Sequence, residues 1–213
     1  LPEADVILLP GSKATLADLA CLRRRGWAGQ IVEHAQNGRS VMGICGGYQM
    51  LGQSVADPLG TEGAPGTAQG LGLLPVQTVL GGHKRLEYGT GFLAQGGQPV
   101  AGYEMHLGQT DRGVGAAPLL QLNGHAEGCV ARSGLVWGTY LHGVFTHRAA
   151  RLALLARAGG AAFAPGGMWA RKALPDNHDS TVDAALDRLA DHLERHMDVD
   201  SLLALARPPV YAV

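Results

Sequence analysis

The sequence predicts one α/β domain with a doubly wound, mostly parallel sheet flanked by helices. Short apolar runs alternate with helix-like segments along the chain, and turn-forming residues separate them. This order favours a parallel sheet, because consecutive parallel strands need a helical crossover between them. A length of 213 residues is enough for one such domain with a substantial core.

Three strands and three helices carry this prediction. The apolar run at 6–9 suits a strand that is buried on both faces. Two segments rich in glycine, proline and small residues, 55–70 and 159–179, are interpreted as loops, and the first precedes an apolar stretch at 71–80. The strands are predicted at 6–9, 41–44 and 135–137, and the helices at 16–21, 28–36 and 148–158.

The last predicted element is an amphipathic helix over 181–206. Its apolar side chains recur at i, i+4, i+7 and i+11 on one face, at Val182, Leu186, Leu189 and Leu193. We expect this helix to pack on the core or on a partner domain.

The stretch Gly43-Ile44-Cys45-Gly46-Gly47-Tyr48-Gln49 is the most informative in the chain. A strand that ends in small residues and turns into a helix predicts an elbow that exposes the sulfur of Cys45. The start of a helix also favours a thiolate, because its free amides carry partial positive charge. A cysteine that only packs is the alternative, but glycines here allow backbone amides to approach an oxyanion. We therefore predict a nucleophile.

A cysteine nucleophile needs a base, and His142 is the candidate. It follows the strand-like segment 135–137, so it is expected at the carboxyl end of a strand, where catalytic groups gather in α/β sheets. A hydrogen-bonded core histidine is the alternative when the residue is considered alone. Its occurrence together with Cys45 favours the base, because such pairs meet in space rather than in sequence.

These residues resemble the nucleophile motif of the class I, triad-type glutamine amidotransferases, Gly-Ile/Val-Cys-x-Gly-x-Gln. Three further motifs narrow the resemblance to the branch that serves corrinoid amidation: 9–13, 102–106 and 139–143. The resemblance covers nearly the whole chain. It implies that L-glutamine is hydrolysed through Cys45 and His142, and that the ammonia passes to a synthetase domain.

The resemblance also implies further site residues. The backbone amide of Gly46 and the turn at Gly11 and Ser12 are expected to supply the oxyanion donors. Gln49, one helical turn after the nucleophile, is expected to hold the amino-acid end of the substrate. The strand-like motif with Tyr103, Glu104 and His106 is expected to line the pocket, because Glu104 and His106 lie on the same face of the strand. An edge strand with a solvated face is the alternative, since it would show the same pattern.

One position departs from the general family pattern. Many class I amidotransferases carry an acid two residues after the histidine, where this chain has Val144. The imidazole must then be oriented by a backbone carbonyl, by water or by another carboxylate, and Glu104 is one candidate. A weak orienting group predicts a slow glutaminase that depends on its synthetase for full activity.

Composition fits a catalytic domain of the cytoplasm. The net charge of −1 gives no electrostatic reason to bind nucleic acid or an anionic membrane, and we expect neither a secretory leader nor a membrane span, because no such apolar segment is recognisable. The three cysteines are scattered, as expected in a reducing compartment. The nine histidines have no zinc-binding spacing, and we interpret the pair His192 and His196 as a solvated helix face, so no metal is expected.

The chain starts without methionine and has no Walker-type phosphate loop. We therefore expect a C-terminal part of a longer enzyme, with ATP and Mg²⁺ bound by an N-terminal synthetase domain and no cofactor in this one. The resemblance implies a corrinoid acceptor, adenosylcobyrinic acid a,c-diamide. Three alternatives stay open: another acceptor, such as that of a corrinoid a,c-diamide synthase or a peptidoglycan precursor; a silent docking domain; and a cysteine hydrolase that acts on something other than glutamine.

Overall fold

The computed structural model describes residues 1–82, 84–159, 166–167 and 178–206. They form two compact units, 1–174 and 175–213, of which the first contains all the described strands. Most of the predicted loop at 159–179 lies outside the described residues. Four described helices belong to the first unit: α1 (Thr15–Arg24), α2 (Trp27–Gln36), α3 (Gly46–Leu51) and α4 (Arg148–Arg157).

A four-stranded sheet at the centre of the first unit is the part that the sequence predicted. Its strand order is β1-β2-β12-β11, in which β1, β2 and β12 are parallel and β11 is antiparallel to β12. The parallel strands are short and apolar, and α1 and α2 lie between β1 and β2 as expected; between β2 and β12 the chain instead forms α3 followed by further strands. The strands are β1 (Val6–Leu9), β2 (Ser40–Ile44), β11 (Cys129–Val130) and β12 (Val136–Thr139).

Helices cover both faces of this sheet. Neighbouring residues of β2 point in opposite directions, so Val41 and Met42 belong to different hydrophobic clusters. Val41 packs in a cluster with residues of α1, α2 and α3, whereas Met42 packs in a cluster that includes Leu154 of α4. The mixed α/β architecture with helices on both faces is confirmed.

Two further sheets extend the unit beyond the predicted elements. The predicted loop at 55–70 is wrong in part, because it contains strand residues that pair with each other and with the strand Val76–Val79. One sheet has the order β4-β3-β5-β8, made of β3 (Ser54–Asp57), β4 (Gly66–Gln69), β5 (Val76–Val79) and β8 (Gln109–Arg112).

The third sheet is antiparallel, has the order β10-β9-β6-β7-β13 and carries several site residues. Its long hairpin β6-β7 contains the motif 102–106, so that motif forms a strand as predicted. The strands are β6 (Arg85–Leu93), β7 (Pro99–His106), β9 (Leu120–Leu122), β10 (His125–Glu127) and β13 (Leu141–His142).

The second unit has two described helices where the sequence predicted one at 181–206. The helices are α5 (His178–His196) and α6 (Val199–Leu205). Asp198 ends the continuity, because its side chain accepts a 3.0 Å hydrogen bond from Ser201 N–H and caps α6. The apolar stripe of α5 is present but exposed, from 40% at Leu193 to 56% at Leu186. Its packing therefore stays a prediction.

Candidate active site

Cys45 occupies a strand-to-helix elbow, as the sequence predicted. Strand β2 ends at Ile44, helix α3 begins at Gly46, and Cys45 between them has φ 54° and ψ −115°. A positive φ is costly for a residue with a Cβ, so the surrounding contacts must hold it in place. The N–H of Cys45 donates a 2.9 Å hydrogen bond to Thr139 O, which ties the elbow to the end of β12.

The glycines after Cys45 permit close packing against the end of β1. A Cβ added to Gly47 would lie 2.0 Å from Leu9 O, and one added to Gly46 would lie 2.7 Å from Ser12 N. A Cβ on Gly11 would be 3.6 Å from the Cβ of Cys45. The structure thus brings the three residues proposed as oxyanion donors, Gly11, Ser12 and Gly46, around Cys45.

The thiol of Cys45 is partly buried, and burial opposes the effect of the helix start that the sequence indicated. Burial raises the pKa of the Cys45 thiol, and the negative charge of Glu62 raises it further. The Gly46 amide acts in the opposite direction but is weaker than burial, so desolvation outweighs the start of the short helix α3. The sulfur donates a 3.3 Å hydrogen bond to Met105 O.

His142 lies on β13, paired with Tyr103 of β7. The two rings are stacked, with centroids 5.0 Å apart and planes 1° from parallel. The Nε2 atom of His142 is buried without a hydrogen-bond partner. No described hydrogen bond joins His142 to Cys45; the connection runs instead through Thr139, which bonds the amide of Cys45 and precedes His142 by three residues.

The structure does not support Glu104 as the group that orients His142. Glu104 pairs in register with Leu141, one residue before His142, so its side chain points to the opposite face of the sheet. There Glu104 Oε2 lies 3.2 Å from an Arg85 nitrogen and 3.7 Å from His125 Nε2. Val144 is buried among apolar side chains, which leaves no acid at that position either.

A cleft of about 620 Å³ opens on the Glu104 face of β7, close to the backbone that contacts Cys45. His106 lines it and stacks on Tyr140, with ring centroids 3.9 Å apart. Burial lowers the pKa of His106 and the nearby charges of Arg85 and His142 lower it too, while the Gly108 carbonyl acts in the opposite direction. The charged and polar residues that line the cleft include Arg85, Glu104, His106, Asp111, Arg112, His125, Glu127 and Tyr140.

Gln49 is buried and fully engaged by the protein. Its Oε1 accepts a 3.2 Å hydrogen bond from Thr15 Oγ1, and its Nε2 donates to Tyr140 Oη at 3.1 Å and to Leu107 O at 3.4 Å. The side chain is only 2% exposed. The structure thus places Gln49 beneath the site, and its predicted contact with substrate stays a prediction.

Three residues of this region did not emerge from the sequence. Tyr140 could have been found from the sequence, because it lies in the motif 139–143, two residues before His142. A tyrosine side chain at this place is long enough to reach and hydrogen-bond a neighbouring segment. Arg85 and Glu127 had no such signal. Only the pairing of β6 with β7 and the approach of β10 to β12 bring them to the cleft.

Within the described residues there is no cluster of three or more metal-ligating side chains. The same part of the chain contains no helix that is both long and apolar enough to cross a membrane.

Comparison with known proteins yields consistent matches. Residues 1–150 match the family model described as the CobB/CobQ-like glutamine amidotransferase domain. A cobyric acid synthase of Methylorubrum populi is 50% identical over 207 residues, which is 97% of this chain and 40% of that protein. One of Methylocella silvestris is 49% identical over 205 residues, 96% of this chain and 40% of that protein.

A solved structure described as a glutamine amidotransferase is similar in fold. It has a TM-score of 0.52 at 18% identity and covers 73% of this chain and 79% of its own. The chain spans about 40% of the length of the curated relatives it matches.

Proposed function

Because the chain belongs to the CobB/CobQ-like glutamine amidotransferase family, we propose that it hydrolyses L-glutamine to glutamate and supplies the ammonia to a synthetase. The observation that carries this proposal is the elbow at Cys45. A nucleophile candidate is held there at φ 54°, with the Gly46 amide and the Ser12 turn beside it. Backbone amides at such a place can stabilise the oxyanion of an amide undergoing attack.

The proposed reaction starts with the neutral thiol. Because burial raises the pKa of Cys45, a standing thiolate is disfavoured, and the proton must leave as the sulfur attacks the side-chain carbonyl of glutamine. The free Nε2 of His142 accepts that proton and then donates it to the departing ammonia. Water activated by the same imidazole cleaves the thioester, which releases glutamate and restores the thiol.

The charged cleft suits the amino-acid end of glutamine. Arg85 can pair with the α-carboxylate, and the buried carboxylate of Glu104 can accept the α-ammonium group. Met105 O, between Glu104 and His106, already contacts the sulfur of Cys45, so the cleft and the nucleophile are adjacent. Arg85→Gln should therefore raise KM for glutamine with a smaller change in kcat, and steady-state kinetics would measure both.

We further propose a corrinoid, adenosylcobyrinic acid a,c-diamide, as the acceptor of the ammonia. The support is the identity of about half of the residues with proteins named cobyric acid synthase, together with their greater length. ATP and Mg²⁺ would then act in an N-terminal synthetase portion. An amidotransferase for another acceptor would share this site, and activity of the full-length protein with each acceptor would separate the two.

The decisive experiment combines glutamate release with labelling by 6-diazo-5-oxo-L-norleucine, a glutamine analogue that alkylates the nucleophile. We expect label on Cys45, suppressed by glutamine, and no label on a Cys45→Ala variant. Cys21→Ala is the matched control and should behave as wild type. Label that glutamine does not suppress would indicate a hydrolase for another substrate. Absence of both label and glutamate, in this chain and in the full-length protein, would indicate a silent docking domain.

A further inference from the structure

Glu127 is a buried carboxylate that the proposed reaction does not use directly. It is the last residue of β10 and is 5% exposed. Its Oε2 accepts a 2.5 Å hydrogen bond from the hydroxyl of Thr139, and its Oε1 accepts a 2.7 Å bond from the N–H of Tyr140. A single carboxylate thus holds two consecutive residues at the point where the chain leaves β12.

Thr139, the first of these two residues, connects the two halves of the candidate active site. Thr139 O accepts the N–H of Cys45 at 2.9 Å, and Thr139 Oγ1 accepts the N–H of Leu141 at 3.0 Å. Leu141 directly precedes His142 on β13. Any displacement of Thr139 would therefore move the nucleophile elbow and the strand that carries the base relative to each other.

We infer that Glu127 is a positioning residue that sets the geometry between Cys45 and His142 through Thr139 and Tyr140. The inference rests on the proposed function, since it assigns the residue a part in that reaction. We call the two hydrogen bonds from Thr139 and Tyr140 to Glu127 the tether. Charge-assisted hydrogen bonds are shorter and about twice as strong as neutral ones, so an ionised carboxylate is well suited to hold these two residues.

The surroundings of Glu127 make the tether sensitive to pH. Burial, the largest cause, and the charge of Glu104 on β7 together raise the pKa of Glu127 to about 7, against the lowering effect of the hydrogen bonds from Thr139 and Tyr140. Arg112 on β8 acts in the opposite direction, and the phenol of Tyr48 on α3 also faces the group. When ionised, Glu127 accepts from Thr139; when protonated, it must donate on one oxygen, and the hydroxyl proton of Thr139 loses its acceptor.

The test compares Glu127→Gln with wild type, using Glu33→Gln, the same change at an exposed carboxylate on α2, as control. We expect kcat for glutamine to fall by between about 10- and 100-fold in Glu127→Gln, with KM changed less than about twofold, because geometry and not binding is disturbed. In wild type, ionisation of Glu127 should produce an inflection near pH 7 in the pH profile of kcat, and this inflection should be absent in Glu127→Gln. Amide hydrogen exchange of Tyr140 and Leu141, followed by NMR, should accelerate by at least about tenfold.

Thr139→Val removes the Thr139 half of the tether together with the acceptor of the Leu141 N–H, and it should reproduce the fall in kcat and the faster exchange of the Leu141 amide. Thr139→Ser, which keeps the hydroxyl, should behave as wild type. This pair keeps the test decisive if Glu127→Gln does not fold. Wild-type kcat, pH profile and amide exchange in the Glu127→Gln or Thr139→Val variant would overturn the inference while the glutaminase itself stands. If wild type releases no glutamate, the proposed function fails, and unchanged exchange of the Tyr140 and Leu141 amides would overturn the tether as well.

Discussion

The backbone of Cys45 provides a test of strain that does not depend on catalysis. With φ 54° and ψ −115°, the residue lies in a region that glycine tolerates and that residues with a Cβ avoid. Cys45→Ala and Cys45→Gly both remove the thiol and its hydrogen bond to Met105 O. They differ only in the Cβ, so their difference in the free energy of unfolding isolates the strain.

The magnitude follows from two opposing effects. A non-glycine residue in such a conformation costs on the order of 1–3 kcal/mol. Glycine loses more conformational freedom on folding, which costs about 0.5–1 kcal/mol relative to alanine. We therefore expect Cys45→Gly to be more stable than Cys45→Ala by about 1 kcal/mol.

Urea denaturation of both variants at one pH would measure this difference. Ala17→Gly is the matched control, because Ala17 is an exposed residue inside α1. There the same exchange should destabilise the protein by about 0.5–1 kcal/mol, the opposite sign. If Cys45→Gly were less stable than Cys45→Ala by the amount seen in the control, the argument for a strained elbow would be refuted.

Three further predictions concern packing, a hydrogen-bond network and a buried charge. Gly47→Ala should lower the free energy of unfolding in urea by about 3 kcal/mol, because its Cβ would lie 2.0 Å from the backbone oxygen of Leu9; wild-type stability would contradict this. Tyr140→Phe should cost about 1–3 kcal/mol in thermal unfolding, because the buried Nε2 of Gln49 loses one of its two hydrogen-bond acceptors; a loss below about 0.5 kcal/mol would contradict it. Folding raises the pKa of Glu127, so the protonated carboxyl stabilises the folded state at low pH, and the protein loses about 3 kcal/mol of this stability as the pH rises from about 4.5 to 7. Urea titrations should show this loss in wild type and not in Glu127→Gln, and equal pH dependence in both would refute the prediction.

The elbow could be predicted because its signal is local. An apolar strand, a cysteine and two glycines follow each other within seven residues, and the backbone of such a sequence has few ways to turn. The strand at 102–106 was predictable for the same reason, since its alternation of apolar and polar side chains is a short-range property.

The segment 55–70 shows where local signals were insufficient. Its glycines and prolines indicated a loop, yet Ser54–Asp57 pairs with Gly66–Gln69 and with β5. Strand formation here depends on partners that are distant in sequence, and pairing outweighs intrinsic preference. The start of α3 favours a thiolate at Cys45 as predicted, but burial outweighs it and raises the pKa of the thiol, and burial depends on segments packed around the sulfur.

The sequence by itself determined the parallel core, the elbow and the candidacy of Cys45 and His142, because strand periodicity, turn chemistry and motif order reside in neighbouring residues. Only the tertiary structure placed Arg85 beside Glu104, turned Glu104 away from His142 and tied Thr139 to Glu127. Those arrangements depend on which strands pair and in which register, and a shift of one residue reverses the face on which every side chain lies.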